Sequence, residues 1–193
     1  MLAADKLLLR SKIAQRSVVL KEKEFGLHHG NFRNVGTQAA VMAGFSVTAL
    51  IEFGPPEGGS RALKFFFYLT MMLSLAANVL CVANTTLLSV WGTGLAMRGP
   101  NGSMIRAVDG MYRLRRDVFV LMSVGMVSSL LMGIFGAWIL FEAAPALALS
   151  GILAASIYAV IRAQRYLYRL FYYRDDEATS FEDIEPDDRH RAA

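Results

Sequence analysis

Four long stretches of the chain are almost free of charge, and the charged residues crowd between them. They run over residues 37–53, 65–91, 118–141 and 143–161. A helix needs about 20 apolar residues to cross the hydrocarbon core of a bilayer, with a range of about 17–25. Each stretch is therefore long enough, the first and last with help from their polar flanks. Leu, Val, Ala, Met and Phe follow one another without strict alternation, which argues against the two-residue period of a lipid-facing barrel. A soluble bundle of buried helices is the competing architecture, but four such stretches in 193 residues leave too little polar surface for it. The pattern predicts an all-α integral membrane protein with four transmembrane helices. Composition agrees: 54% of the residues are hydrophobic, whereas a soluble domain reaches about 45–50% only with glycine counted.

The charges set the orientation. Seven Lys and Arg lie in residues 1–35, five in the middle loop (Arg98, Arg106, Arg113, Arg115 and Arg116) and six after position 161. Arg61 and Lys64 flank the first short loop, and the loop around Glu142 and Pro145 has none. By the positive-inside rule both termini and the middle loop are cytoplasmic. The chain then divides into a basic N-terminal segment (1–35), a four-helix transmembrane domain (36–173) and an acidic tail (174–193). Of the two glycosylation sequons, Asn84 falls in a span and Asn101 on the cytoplasmic side, so neither is expected to carry a glycan.

Residues 1–35 place Leu8, Leu9, Ile13 and Leu20 among cations. An amphipathic helix lying on anionic headgroups is one reading. A cytoplasmic extension of the first span is the preferred one, because no proline separates the two. His28 and His29 are neighbours, do not share a helix face, and read as solvated. "GPPEGGS" at 54–60 makes spans one and two antiparallel neighbours, with Pro55 and Pro56 ending the first helix after Glu52. The arms around "GPNG" at 99–102 are expected to prolong spans two and three. In span three, Ser129, Gly133 and Ala137 recur every four residues, a spacing that lets helices approach closely. The tail carries eight acids and few apolar anchors, a composition expected to stay disordered. The single cysteine, Cys81, excludes an intrachain disulfide and a cysteine metal site. No nucleophile constellation, paired acids or ligand cluster shares a depth in the spans, so an enzyme is not expected and no cofactor is implied.

The first span carries the candidate chemistry. Stepping back from Glu52 at 100° per residue, Thr48, Phe45 and Val41 fall in one narrow arc, and Thr37 and Arg33 continue it. The opposite side carries Leu50, Ser46, Ala43 and Ala39, three of them small. Copies of this helix around an axis would make Glu52 a ring of carboxylates at the outer mouth. Crowded carboxylates repel one another, and a divalent cation relieves that repulsion. Calcium accepts irregular oxygen cages, whereas magnesium dehydrates reluctantly. Carboxylate rings select cations and apolar constrictions gate by dewetting, which makes Phe45 and Val41 the candidate constriction. A terminal Glu at the interface is equally an ordinary solvated helix end. The alternative is thus a non-conducting four-span protein that organises partners or lipids.

"AGFSVTALIE" at 43–52 resembles the first transmembrane helix of the Orai family, the pore subunits of calcium-release-activated calcium channels. There a Gly-Phe pair is followed, seven residues after the Phe, by the selectivity glutamate; here these are Gly44, Phe45 and Glu52. The four-span plan, the short first outer loop and the basic middle loop match as well. The resemblance implies a plasma-membrane homo-oligomer, a hexameric ring of first helices lining a central pore. It implies Ca2+ as the permeant ion, with Glu52 as its filter and Phe45 and Val41 in a hydrophobic section beside the gate-associated Gly44. Thr48 and Thr37 line the same pore, and Arg33 its basic inner end. Thr48 stands where the family has a gate valine, Thr37 at an inner basic position, and Asn78 at a span-two histidine. The span-three glutamate and a span-four proline have no counterpart. Animal members bind the endoplasmic-reticulum calcium sensor STIM through a helical, leucine-bearing tail, and "FEDIEPDDRHRAA" at 181–193 lacks that character, which argues against such a partner.

Overall fold

Each apolar stretch lies within one helix to within a residue. The structure, a computed structural model, describes residues 2–52, 60–98 and 103–171. Every regular element among them is α-helical: α1 (Leu2–Glu52), α2 (Arg61–Arg98), α3 (Ser103–Leu140) and α4 (Ala143–Phe171). All four are long and apolar enough to cross a membrane. The loop at 53–59, the turn at 99–102 with Asn101, and the tail at 172–193 lie outside the described residues.

The boundaries have local causes. α1 ends at Glu52, ahead of Pro55 and Pro56, which supply no N–H to continue it. α4 has Pro145 in its first turn, where a backbone N–H has no intrahelical partner to lose; the Ala146 N–H donates to the Glu142 carbonyl at 3.0 Å and closes that turn. At 1.5 Å per residue, α2 and α3, with 38 residues each, run about 57 Å. That is nearly twice the ~30 Å hydrocarbon thickness, so the arms of the middle loop do prolong spans two and three. α1 has 51 residues without a break. Residues 2–35 therefore extend the first span rather than forming a separate helix along the headgroups.

Contacts divide the chain into two units. One comprises Val19–Tyr158 and holds the bundle; the other comprises the beginning of α1 and the end of α4. In this second unit Lys12, Arg16, Arg162, Arg165 and Arg169 are exposed.

Within the bundle, α2 and α3 form the tightest pair. Phe67 packs on Gly136, Asn78 on Gly125 and Gly92 on Met111, while Ser74 bonds Ser129 and Cys81 lies 3.7 Å from the Val118 carbonyl. Rising numbers on α2 meet falling numbers on α3 throughout, the register of straight antiparallel helices. α1 lies against both. Phe32, Val35 and Ala39 form one buried cluster with Cys81, Met111 and Val118, and Ala49 joins Phe67 and Met71 in a second. Gly36 allows the closest approach, since a Cβ there would stand 2.6 Å from Thr85 Oγ1. α4 is the most exposed of the four; Leu153 packs on Gly133 of α3. The row Ser129, Gly133 and Ala137 thus serves two neighbours, Ser129 meeting α2 and Gly133 meeting α4. Lipid is as apolar as leucine, so in the apolar zone such fits act through dispersion and hydrogen bonds rather than through the hydrophobic effect.

Candidate functional site

α1 has two unlike sides. Phe32, Val35, Ala39, Ser46 and Ala49 are buried against α2 and α3. Opposite them, Arg33, Thr37, Val41, Gly44, Phe45, Thr48 and Glu52 are all exposed. These are the seven positions that the sequence singled out, and they share one continuous face. Phe45 is 63% exposed and Val41 52%, so the bundle leaves the two bulky groups of this stripe uncovered. Nothing lies within 4 Å of where a Gly44 Cβ would stand. Ala39 and Ser46 on the far side are buried and Ala43 half-buried, whereas Leu50, near the helix end, keeps 36% exposure.

The exposed stripe differs from the exposed faces of the other spans. α2 shows Phe65, Leu69, Met72 and Leu80 beside Asn84 and Thr86, and α4 shows Leu147 and Ile152, faces that are mostly suited to acyl chains and carry no charge at these positions. α1 shows a carboxylate at one end, hydroxyls at Thr48 and Thr37, and a guanidinium at Arg33. Between them lies the apolar segment Val41–Phe45. An open depression on the same face is lined by Gly30, Arg33, Asn34, Thr37 and Gln38. α1 is accordingly the least apolar of the four spans.

Cross-helix contacts set the depth of each group. His28 meets Tyr112, and Ser46 reaches Ser129 by way of Ser74, so α1 and α3 run parallel with Arg33 level with Arg116 and Asp117. Charge thus begins at one depth on two helices, while Glu52 marks the opposite end.

What fixes the far side of α1 is a polar layer that the sequence did not single out as a unit. Ser46 Oγ lies 3.0 Å from Ser74 Oγ, which lies 2.6 Å from Ser129 Oγ. Asn78 Nδ2 donates to the Ser74 carbonyl at 2.8 Å and reaches Ser74 Oγ at 3.4 Å. The Met42 and Gly125 carbonyls accept at the two ends, from Ser46 at 3.1 Å and from Ser129 at 2.9 Å. Each hydroxyl has one proton and two lone pairs, so the chain can point from Ser46 toward Gly125 or the reverse. Ser74 is the hub, and nothing in its apolar stretch marks it. Its alanine variant leaves Ser46 and Ser129 bonded only to carbonyls of their own helices and unlinks α1 from α3, and Ser74→Ala is expected to cost about 1–2 kcal/mol. That is a drop of about 2–8 °C in thermal midpoint for a chain of this size, measured on the purified protein.

His28 and His29 are only partly solvated. His28 is half-buried between Phe32 and Tyr112, and His29 is half-buried against Phe25. Adjacent positions on a helix differ by 100°, which on a free helix would send at least one ring to water. Here α3 continues alongside α1 beyond Arg33 and covers His28. Among the described residues no group of three or more His, Cys, Asp or Glu could hold a metal ion.

Four antiparallel and parallel helices of this length and apolarity define a multi-pass, all-helical membrane protein. No family model, curated protein or solved structure matches the chain.

Proposed function

We propose that the chain is a subunit of a ring-shaped calcium-selective channel of the plasma membrane, similar in plan to the Orai family. In this reading copies of α1 surround a central conduit with both termini on the cytoplasmic side. One observation carries it: the polar stripe of α1, from Arg33 through Val41 and Phe45 to Glu52, is the side of the helix that the chain's own bundle leaves uncovered. Facing acyl chains, Arg33 and Glu52 would have to reach the two interfaces for water, and Thr37 would be left with only its bond to the Arg33 carbonyl at 2.9 Å. Facing a shared aqueous axis, they keep water. Glu52 is the outer ring and filter, Phe45 and Val41 the constriction, and Arg33 the inner end. Arg33 stands level with Arg116 and Asp117, and this, with the excess of arginine in the middle loop, supports reading that depth as the inner boundary of the membrane. A homo-oligomer, expected to be a hexamer, completes the site, because a single Glu52 holds a divalent cation poorly while several share its charge.

Cross-linking tests the arrangement. In a Cys81→Ala background, Glu52→Cys is expected to give disulfide-linked dimers in membranes under mild oxidation. A cysteine at Ile152, on the exposed face of α4, should give none. Monomer alone at position 52 would remove α1 from the axis and favour a non-conducting membrane protein instead.

A further inference from the structure

Past Arg33, α1 and α3 continue together beyond the apolar zone and meet in an aromatic seam. His28 is edge-on to Tyr112, with centroids 6.4 Å apart and planes at 78°, and lies 6.5 Å from Phe32 in a stacked pose. The Arg115 guanidinium sits 5.0 Å over the same Tyr112 ring. His28 Nε2 is 4.0 Å from Glu24 Oε1, and Lys21 holds the other Glu24 oxygen at 3.0 Å. His29 stacks on Phe25 at 6.2 Å and its Nδ1 is buried without a hydrogen-bond partner. α2 faces this level with Gly92, packed on Met111, and carries its next charge at the exposed helix end, Arg98. Among the described residues, the charged groups that act on His28 are Glu24 and Lys21 on its own helix and Arg115 on α3, with His29 and Tyr112 beside it.

We propose that His28, Tyr112 and Arg115 form an acid sensor on the cytoplasmic side, in which protonation of His28 parts α1 from α3 and narrows the conduit. The direction follows from geometry. His28 projects from the same side of α1 as Phe32 and Val35, opposite the Arg33–Glu52 stripe, so a force between His28 and α3 pushes α1 toward the axis of the ring. A new cation in this seam is desolvated among aromatic rings and faces the Arg115 guanidinium, with the Glu24 carboxylate already engaged by Lys21.

The titration runs the same way. Burial lowers the His28 pKa from its ordinary 6.5; Glu24 opposes the shift, and Arg115 and Lys21 add to it. A group whose pKa is depressed in the closed seam takes up its proton when the seam opens. The stabilisation is thus complete above pH 6.5 and is lost as pH falls through the depressed value.

This inference rests on the channel reading for its effect on current, but not for its effect on packing, and the test separates the two. Purified full-length protein is melted between about pH 7.4 and 6.0, inside the window where histidine charge changes. Inside-out patches are bathed on the cytoplasmic side over the same range. The wild-type midpoint is expected to fall by about 1–3 °C and the calcium current by about fivefold or more, since several subunits of the ring each contribute. His28→Phe, which keeps an aromatic ring and cannot charge, should flatten both, and Arg115→Gln, which relieves part of the depression of the His28 pKa, should make both acid effects smaller. Equal acid dependence of the midpoint in the wild type and His28→Phe overturns the sensor. Should His28→Phe not fold, an acid dependence left unmoved by Arg115→Gln overturns it equally. If no variant conducts calcium at any pH, the channel reading fails, and the melting series alone then decides whether the seam senses acid.

Discussion

Glu52→Gln is expected to abolish calcium selectivity while leaving the four-helix bundle intact. Glu52 is exposed at the last residue of α1, so the bundle loses no packing when its charge is removed. In the proposed channel the permeant ion loses far more. Two unit charges about 4 Å apart attract by about 4 kcal/mol at an effective dielectric of 20, and a divalent ion doubles that for each carboxylate it meets. Sodium gains half as much from the same oxygens, and the difference is the selectivity. Each 1.4 kcal/mol is worth tenfold, so neutralising the ring should lower calcium-over-sodium discrimination by about 100-fold or more. Bi-ionic reversal potentials in a heterologous membrane measure it. The fold control is an unchanged thermal midpoint. Retained calcium selectivity in Glu52→Gln would falsify the filter assignment and with it the proposed mouth.

Gly125→Val is expected to be the most damaging single change to the fold. A Cβ at Gly125 would stand 2.6 Å from Asn78 Oδ1 and 2.8 Å from Nδ2, and Asn78 is 1% exposed. The amide cannot retreat without abandoning the Ser74 carbonyl, to which it donates at 2.8 Å. Either α2 and α3 separate or the polar layer breaks, and overpacking of this kind costs about 1–3 kcal/mol before the stranded amide is counted. The purified variant should melt about 4–12 °C below the wild type. A second mutation separates the causes. Asn78→Ala in the Gly125→Ala background makes room for the added methyl, so a double-mutant cycle should return a coupling of about 1 kcal/mol or more. Additive costs would mean that the two residues do not compete for one space. Ser46 of α1 is tied to this layer through Ser74, so Gly125→Val should also disturb the pose of the stripe-bearing helix.

Much of the plan was legible along the chain. Residues 37–53, 65–91, 118–141 and 143–161 stand out because the free energy of placing a helix in lipid is nearly a sum over its residues, whoever its neighbours are. The stripe on α1 was legible for a related reason: a regular helix converts spacing into direction, so Arg33, Thr37, Val41, Phe45, Thr48 and Glu52 had to share a side. The small residues Ala39 and Ser46 pointed to the packed side by the same geometry. His28 went the other way. Its sequence neighbours Gly26, Leu27, His29 and Gly30 make no regular pattern, and it reads as solvated until α3 is found running alongside it with Tyr112 and Arg115. Ser74 is similarly silent, a lone hydroxyl in an apolar stretch whose partners lie 28 and 55 positions away.

Hydropathy, charge asymmetry and helical period, each a property of one residue or of one turn, were enough for the number of membrane-crossing helices, their approximate bounds and the composition of the α1 stripe. The tertiary structure alone decided that α1 continues unbroken from Leu2, that its stripe is the side left bare, that Ser74 joins three helices, and that His28 is enclosed. Those outcomes depend on which distant side chains fit together at Gly36, Gly92 and Gly125. Steric and hydrogen-bond complementarity of that kind is short-ranged in space and has no periodicity along the chain.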